Sequence, residues 1–176
     1  MTEEQKTDAL NTGDSIGILG GGQLGRMLAV AASRLGLRTH IFDPDPLAPA
    51  GQVCDVITTA SYDDDAALHA FAKSVDVITY EFENIPTSAL DILEQNRDVR
   101  PNREALRISQ DRIIEKEFLT ALGLTTAPYS DVVGLNDLEK AIARIGTPAI
   151  LKTRRFGYDG KGQARISHPA EAETAF

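Results

Sequence analysis

Apolar and polar positions along this chain switch repeatedly between two periods. A polar, acidic stretch over 1–14 is expected to be a disordered tail, and Ser15-Ile-Gly-Ile-Leu19 then has the length and content of a buried strand. Glycines fill 20–22 and 25, and 26–35 has helical composition, with Leu24, Met27, Leu28, Ala31, Ala32 and Leu35 predicted on its core-facing side. Gly36 stops that helix, and 37–42 reads as a second strand that ends at Asp43. Strand, glycine turn, helix and strand make a parallel βαβ unit. Two more strands are predicted at 55–59 and 75–80. Between them lies a helix over 66–72, with Ser61 as its hydroxyl cap, the carboxylates of 63–65 at its positive end and His69 facing solvent. A helix over 87–95 follows.

The second half changes character. Helices are predicted over 103–108, capped by Asn102, and over 111–122, ended by Gly123. An extended segment, 126–131, leads to an amphipathic helix over 135–145 that turns Leu138, Ile142 and Ile145 inward. Short strands at 149–152 and 164–166 flank a glycine loop, and 169–176 starts another helix. Residues 15–100 therefore read as an alternating α/β domain with a parallel sheet. Residues 101–176 read as the start of an α+β unit with too few apolar elements to close a core alone, so the chain is expected to be part of a longer enzyme.

Composition narrows the field. Hydrophobic content of 42% supports a packed core, and a net charge of −8 argues against non-specific binding to nucleic acid or anionic membrane. Any anion site must be a local basic island. The single cysteine, Cys54, permits no disulfide within the chain, fits a reducing cytoplasm and reads as a small core-facing hydrophobe. No apolar run reaches the roughly 18 residues of a membrane helix.

Three stretches carry candidate chemistry. In 152–163, three glycines and four cations follow the apolar run Ala149-Ile-Leu151, which suits a flap over phosphate oxygens as well as a solvated hairpin loop. Residues 20–25 match G-x-G-x-x-G, with Asp43 eighteen residues past Gly25, so a dinucleotide site, another phosphate-bearing ligand or simple helix–strand packing would each account for them. Asp43 also belongs to Asp43-Pro-Asp-Pro46, where turn geometry alone favours aspartate. Glu81-Phe-Glu-Asn-Ile-Pro86 leaves the carboxyl end of a strand, where Glu81 and Glu83 could meet a cationic or hydroxyl-rich group or form a polar turn. The acidic run 63–65 is helix-start chemistry rather than a metal site, and Arg112 and Lys116 share one helix face as ordinary solvated cations.

Taken together, Gly20-Gly-Gly-Gln-Leu-Gly-Arg-Met27, Tyr80-Glu-Phe-Glu-Asn-Ile-Pro86, Gln110-Asp-Arg112 and Lys152 with Gly157-Tyr-Asp-Gly-Lys-Gly-Gln163 resemble the N-terminal half of the N5-carboxyaminoimidazole ribonucleotide synthetases, ATP-grasp ligases of purine biosynthesis. The resemblance implies a Rossmann-like pre-ATP-grasp domain with a parallel sheet, followed by the first part of an α+β ATP-grasp domain. It also implies ATP- and bicarbonate-dependent carboxylation of 5-aminoimidazole ribonucleotide through carboxyphosphate, in a cytoplasmic, commonly dimeric enzyme. By the same resemblance Arg112, Lys152, Gly157, Tyr158, Asp159, Gly160, Lys161, Gly162 and Gln163 contact ATP. Gln23, Leu24, Glu81 and Tyr158 border the ribonucleotide, and Asp159 and Lys161 are the catalytic candidates. Lys161 stands where some members carry Arg, which keeps the charge and gives up the bidentate fork. The Mg²⁺ ligands are expected beyond residue 176, so this chain alone is expected not to catalyse. The 152–163 loop is expected to be mobile. An NAD-dependent oxidoreductase built on the 20–25 loop, another ATP-grasp carboxylase or transformylase, and a non-catalytic nucleotide-binding module remain as alternatives.

Overall fold

A computed structural model describes residues 9–157 and 160–176. The chain divides into two compact units, Met1–Leu106 and Arg107–Phe176. The first contains β1 (Ser15–Leu19), α1 (Gln23–Arg34), β2 (Arg38–Asp43), β3 (Val56–Thr59), α2 (Asp65–Lys73), β4 (Val77–Tyr80) and α3 (Thr87–Leu93). Its strands form one parallel sheet in the order β3-β2-β1-β4, the α/β class read from the sequence. Val99 adds a further parallel bridge to Ile78 of β4. Side chains alternate between the two sheet faces. Leu19, Phe42 and Ile78 pack with Leu68 and Phe71 of α2 and Leu90 of α3, while Ile18 and Ile41 pack with Ala29 of α1 and with Ala50.

The strand order decides where a ligand can approach. The chain steps outward from β1 to β2 to β3 and then crosses back to place β4 on the other side of β1. Connections therefore diverge between β1 and β4, which opens a crevice at their carboxyl ends. Leu19 is in register with Phe42 on one side and Tyr80 on the other, so Gly20, Asp43 and Glu81 leave the sheet side by side.

Several expectations are corrected. The helix α1 buries Gly25, Ala29 and Ala32, while Leu24, Met27, Leu28 and Leu35 are exposed. The cause is close approach: a Cβ on Gly25 would lie 2.2 Å from the Gly20 carbonyl oxygen, so the helix rests on its own turn through small residues. Asp64, not Ser61, caps α2 by accepting the Ala67 N–H at 2.9 Å. His69 is half-buried, with Nδ1 3.1 Å from the Asn96 amide, rather than facing solvent. Within the stretch read as a tail, Gly13 N–H donates to the Gly36 carbonyl at 2.8 Å and Arg38 N–H to the Asp14 carbonyl at 2.8 Å, which ties residues 11–14 to the start of β2. Cys54 is half-buried against the Ile18–Ile41 cluster, and burial raises its thiol pKa.

α4 (Arg103–Ser109) leads out of the first unit. The second unit holds α5 (Arg112–Ala121), α6 (Leu135–Ile145), the antiparallel hairpin of β5 (Ala149–Lys152) and β6 (Gln163–Ile166), and α7 (Ala172–Ala175). Leu138 and Ile142 of α6 pack on Ile166 and Ala172. Among the described residues no helix is long and apolar enough to cross a membrane.

One buried polar group tests the packing of the first unit. His40 of β2 places Nδ1 2.8 Å from Ser74 Oγ and Nε2 2.8 Å from Thr58 Oγ1. Ser74 Oγ donates to the Phe71 carbonyl, so it accepts from Nδ1–H, and Nε2 accepts from Thr58. Burial lowers the imidazole pKa from 6.5. A base with a depressed folded pKa stabilises the fold fully above its unfolded value and loses that contribution as pH falls. Thermal unfolding should therefore move to lower temperature as pH drops below 6.5, and His40→Phe should remove that part of the slope.

Candidate functional site

The crevice of the first unit is built by three neighbouring loops. Gly20 takes φ +98°, a left-handed conformation that lets the chain turn off β1 without a Cβ meeting Phe82 at 2.9 Å. Its N–H donates to the Phe42 carbonyl at 3.0 Å. The next N–H, that of Gly21, donates to Asp43 Oδ2 at 2.6 Å, and Asp43 Oδ1 accepts from Asp45 N–H at 2.8 Å. Asp43 thus clamps the glycine turn to the end of β2 and closes its own Pro-rich turn, so both its oxygens are committed to backbone. Gly22 then starts α1 with no side-chain cap and no acidic residue in the first turn. First-turn N–H groups have no intrahelical acceptor. Gln23 and Leu24 project from that turn into solvent.

Opposite them stands Glu81, at the exit of β4. Its Oε2 lies 3.4 Å from the Cβ position of Gly20 and 3.8 Å from that of Gly22, so the carboxylate hangs over the turn. It makes no hydrogen bond among the described residues. Burial, with the carboxylates of Asp43 and Glu83 nearby, raises its pKa above 4.5. A half-buried carboxylate without a donor is a poised acceptor. The sequence prediction brought Gln23, Leu24 and Glu81 to one place, and the structure does the same. The turn reading of Asp43 is matched by its bond from Asp45 N–H, and the further bond from Gly21 N–H was not foreseen.

In the second unit, Lys152 ends β5 opposite Gln163 of β6. A cavity of about 470 Å³ opens beside β5. Its walls include Ile113, Leu138, Ile142 and Ile150, and Arg112, Lys116, Lys152 and Arg154 line it, with Asp131 as the one carboxylate among the described residues. An apolar hollow rimmed by cations suits a flat apolar ring carrying phosphates. Lys116, expected to be solvated, lies over the Tyr129 ring at 5.3 Å.

The described residues of the loop that follows β5 make hydrogen bonds to α5 and to one another. Arg112 donates from Nη2 to the Gly157 carbonyl at 2.7 Å and from Nε to the Thr153 carbonyl at 3.2 Å. Thr153 N–H donates to the Gly162 carbonyl at 2.8 Å. Gly160 and Gly162 take positive φ on the return to β6, and Lys161 between them is exposed. None of 157–163 lines the cavity among the described residues. Tyr158 and Asp159 lie outside the described residues.

Residues that the sequence reading did not single out hold this loop. Arg154 pairs with Asp111, Nη2 to Oδ2 at 2.8 Å, and with Asp131 at 3.2 Å, while Arg155 donates to Gln110 Oε1 at 2.9 Å. Asp111 also caps α5, its Oδ1 accepting from Ile113 N–H at 2.9 Å. The signal was the Gln-Asp-Arg run of 110–112 set against the adjacent arginines of 154–155. Among the described residues no group of three or more His, Cys, Asp or Glu is placed to hold a metal ion.

Comparison with known proteins matches residues 14–110 to the ribonucleotide synthetase preATP-grasp domain and 117–176 to the ATP-grasp domain. The chain is similar to the N5-carboxyaminoimidazole ribonucleotide synthase of Brucella melitensis, 50% identical over 165 residues, which cover 94% of this chain and 46% of that protein. It is also similar to two solved structures. The Staphylococcus aureus N5-carboxyaminoimidazole synthetase complexed with ADP aligns with a TM-score of 0.89 at 40% identity, covering 94% of this chain and 44% of that one. The Aspergillus clavatus N5-carboxyaminoimidazole synthase in complex with ADP and 5-aminoimidazole ribonucleotide aligns with a TM-score of 0.82 at 31% identity, covering 93% and 43%. This chain spans less than half the length of each of these relatives.

The double duty of Asp111 yields a test. Burial alone would raise its carboxyl pKa, but Arg154 and the Ile113 and Ile114 N–H groups hold it below 3.8. Its stabilisation is therefore complete above pH 3.8 and is lost as pH falls through the folded value. Asp111→Ala should cost about 1–2 kcal/mol through the lost cap alone. Asp111→Asn keeps the cap and should cost less, so chemical denaturation of the two variants separates the cap from the ion pair.

Proposed function

Because this chain belongs to the ribonucleotide synthetase preATP-grasp family, we propose that it works within an enzyme that carboxylates 5-aminoimidazole ribonucleotide at the expense of ATP. A bicarbonate oxygen attacks the γ-phosphorus and ADP leaves. The exocyclic amine of the ribonucleotide then attacks the carboxyl carbon of carboxyphosphate, phosphate leaves and the nitrogen gives up a proton. Such chemistry needs positioned cations and exclusion of water more than a protein nucleophile.

One observation carries the choice of ligand: the Glu81 carboxylate over the Gly22 turn, at the crevice between β1 and β4. In a dinucleotide site the pyrophosphate occupies the helix N-terminus and the aspartate after β2 binds ribose. Here a pyrophosphate would meet Glu81, and Asp43 already holds two backbone N–H groups. A ribose hydroxyl suits the place better, since it donates to Glu81 and accepts from a first-turn N–H of α1. Gln23 and Leu24 would border that ligand.

The basic cavity of the second unit takes ATP, with the ring against its apolar wall and Lys152 and Arg112 toward the phosphates. Arg112 would also keep the flap 157–163 in place through Gly157, so the glycines there, with Gln163, serve the phosphates from a braced loop. Lys161 is the catalytic candidate within the described residues, and Asp159 with Tyr158 would join it. The described residues offer no carboxylate set fit for magnesium, and none of these roles depends on one. The half-buried Cys54 suits a reducing cytoplasm.

Calorimetric titration of the 176-residue chain tests this. ATP and 5-aminoimidazole ribonucleotide should each bind, and Lys152→Ala should weaken ATP about tenfold, the scale of one charge-assisted hydrogen bond. Binding of NAD in place of both would overturn the proposal. Glu81→Gln should weaken ribonucleotide binding about tenfold to a hundredfold and yet raise the unfolding temperature at pH 7, because it removes a carboxylate whose folded pKa is raised.

A further inference from the structure

Two buried side-chain atoms among the described residues lack a hydrogen-bond partner, Tyr62 Oη and Asn84 Oδ1. Each sits in a loop leaving the carboxyl end of a strand, β3 and β4 respectively. Buried polar groups are ordinarily satisfied, so an orphan at a ligand crevice asks for an explanation. The Tyr62 ring stacks on Phe42, centroids 5.7 Å apart and planes 29° apart, and Phe42 is in register with Leu19, the residue before Gly20. The Gly20 N–H beside it is already donated to the Phe42 carbonyl. Of the two carboxylates that bear on the phenol, Asp43 accepts two backbone N–H groups and Glu81 accepts none among the described residues.

Building on the ribonucleotide reading above, we infer that Tyr62 is a positioning residue for Glu81, its phenol O–H being the donor that one Glu81 oxygen accepts when the other oxygen accepts a ligand hydroxyl. The packing supports the phenol's part. The ring cannot turn away from Phe42 without leaving the core face that Leu68 and Phe71 share. Burial and the nearby Asp43 and Glu81 push the phenol pKa upward, so it stays protonated and can only donate to a carboxylate. The charges of Asp43 and Glu83 bear on Glu81, and that of Glu81 bears on Tyr62; of these side chains the phenol alone carries a proton to donate. In the free protein the phenol is an unmet donor and Glu81 an unmet acceptor. A ligand that draws Glu81 down onto the phenol satisfies both at once.

Tyr62→Phe deletes only the hydroxyl. Calorimetry of the 176-residue chain with 5-aminoimidazole ribonucleotide, from pH 5 to 8, should show about tenfold weaker binding for Tyr62→Phe, the scale of a hydrogen bond to a charged group. Its loss of affinity on the acid limb should be shallower than that of the unmodified chain, because the phenol donates to Glu81 only in the complex and so favours the ionised form only there. The ligand's own phosphate titration cancels in that comparison. Unfolding temperature in the absence of ligand should be unchanged or higher, since no native hydrogen bond is removed. In a Glu81→Ala background, read with ligand concentrations high enough to measure residual binding, Tyr62→Phe should have no further effect. Equal affinity and an unchanged acid limb in Tyr62→Phe would overturn the inference, as would the same loss in both backgrounds. Failure of the unmodified chain to bind the ribonucleotide would overturn the ribonucleotide reading itself, and this one with it.

Discussion

The hydrogen bond from Gly21 N–H to Asp43, at 2.6 Å, is the constraint on which the first unit's site rests. It ties the turn after β1 to the end of β2, and Gly25 then brings α1 down onto that turn. With the turn held, the uncapped start of α1 faces the space beyond β1 and β4, where Glu81 emerges. The same bond withdraws Asp43 from ligand chemistry. Two nearby carboxylates thereby differ: Asp43 holds backbone N–H groups, and Glu81 has no donor among the described residues and a raised pKa.

The second unit divides its cations in a similar way. Arg154 and Arg155 are anchored to Asp111 and Gln110, and Arg112 reaches the backbone of the loop rather than open solvent. Lys152 is exposed at the strand end, on the edge of the cavity. Arg154 and Arg155 thus hold the side chains at the start of α5, and Arg112 holds the backbone of the loop.

Much of this was legible in the sequence. Short apolar runs and period-3.6 patterns located the strands and helices of the parallel sheet, because each strand there must present apolar side chains to helices on both faces. Gln23, Leu24 and Glu81 were grouped by the family resemblance, and they lie on loops that leave neighbouring strands β1 and β4. The core-facing side of α1 was not legible from hydrophobicity, since the apolar residues Leu24, Met27 and Leu28 face out and small ones face in. That inversion comes from a backbone contact at Gly25, which no side-chain pattern encodes. The Gly21–Asp43 bond and the bracing by Arg112 likewise join residues 22 and 45 positions apart in the chain, and such pairings appear only once the fold is in view.

The central claim is that the crevice beyond β1 and β4 binds a ribonucleotide through the α1 turn and Glu81. Backbone amide shifts of the 176-residue chain, followed by NMR as 5-aminoimidazole ribonucleotide is added, test it most directly. The account predicts saturable shifts at Gly22, Gln23, Leu24 and Glu81, with Gly21 held by Asp43 moving least among the turn residues. Shifts confined to other surfaces, or the same turn responding to NAD and not to the ribonucleotide, would contradict it.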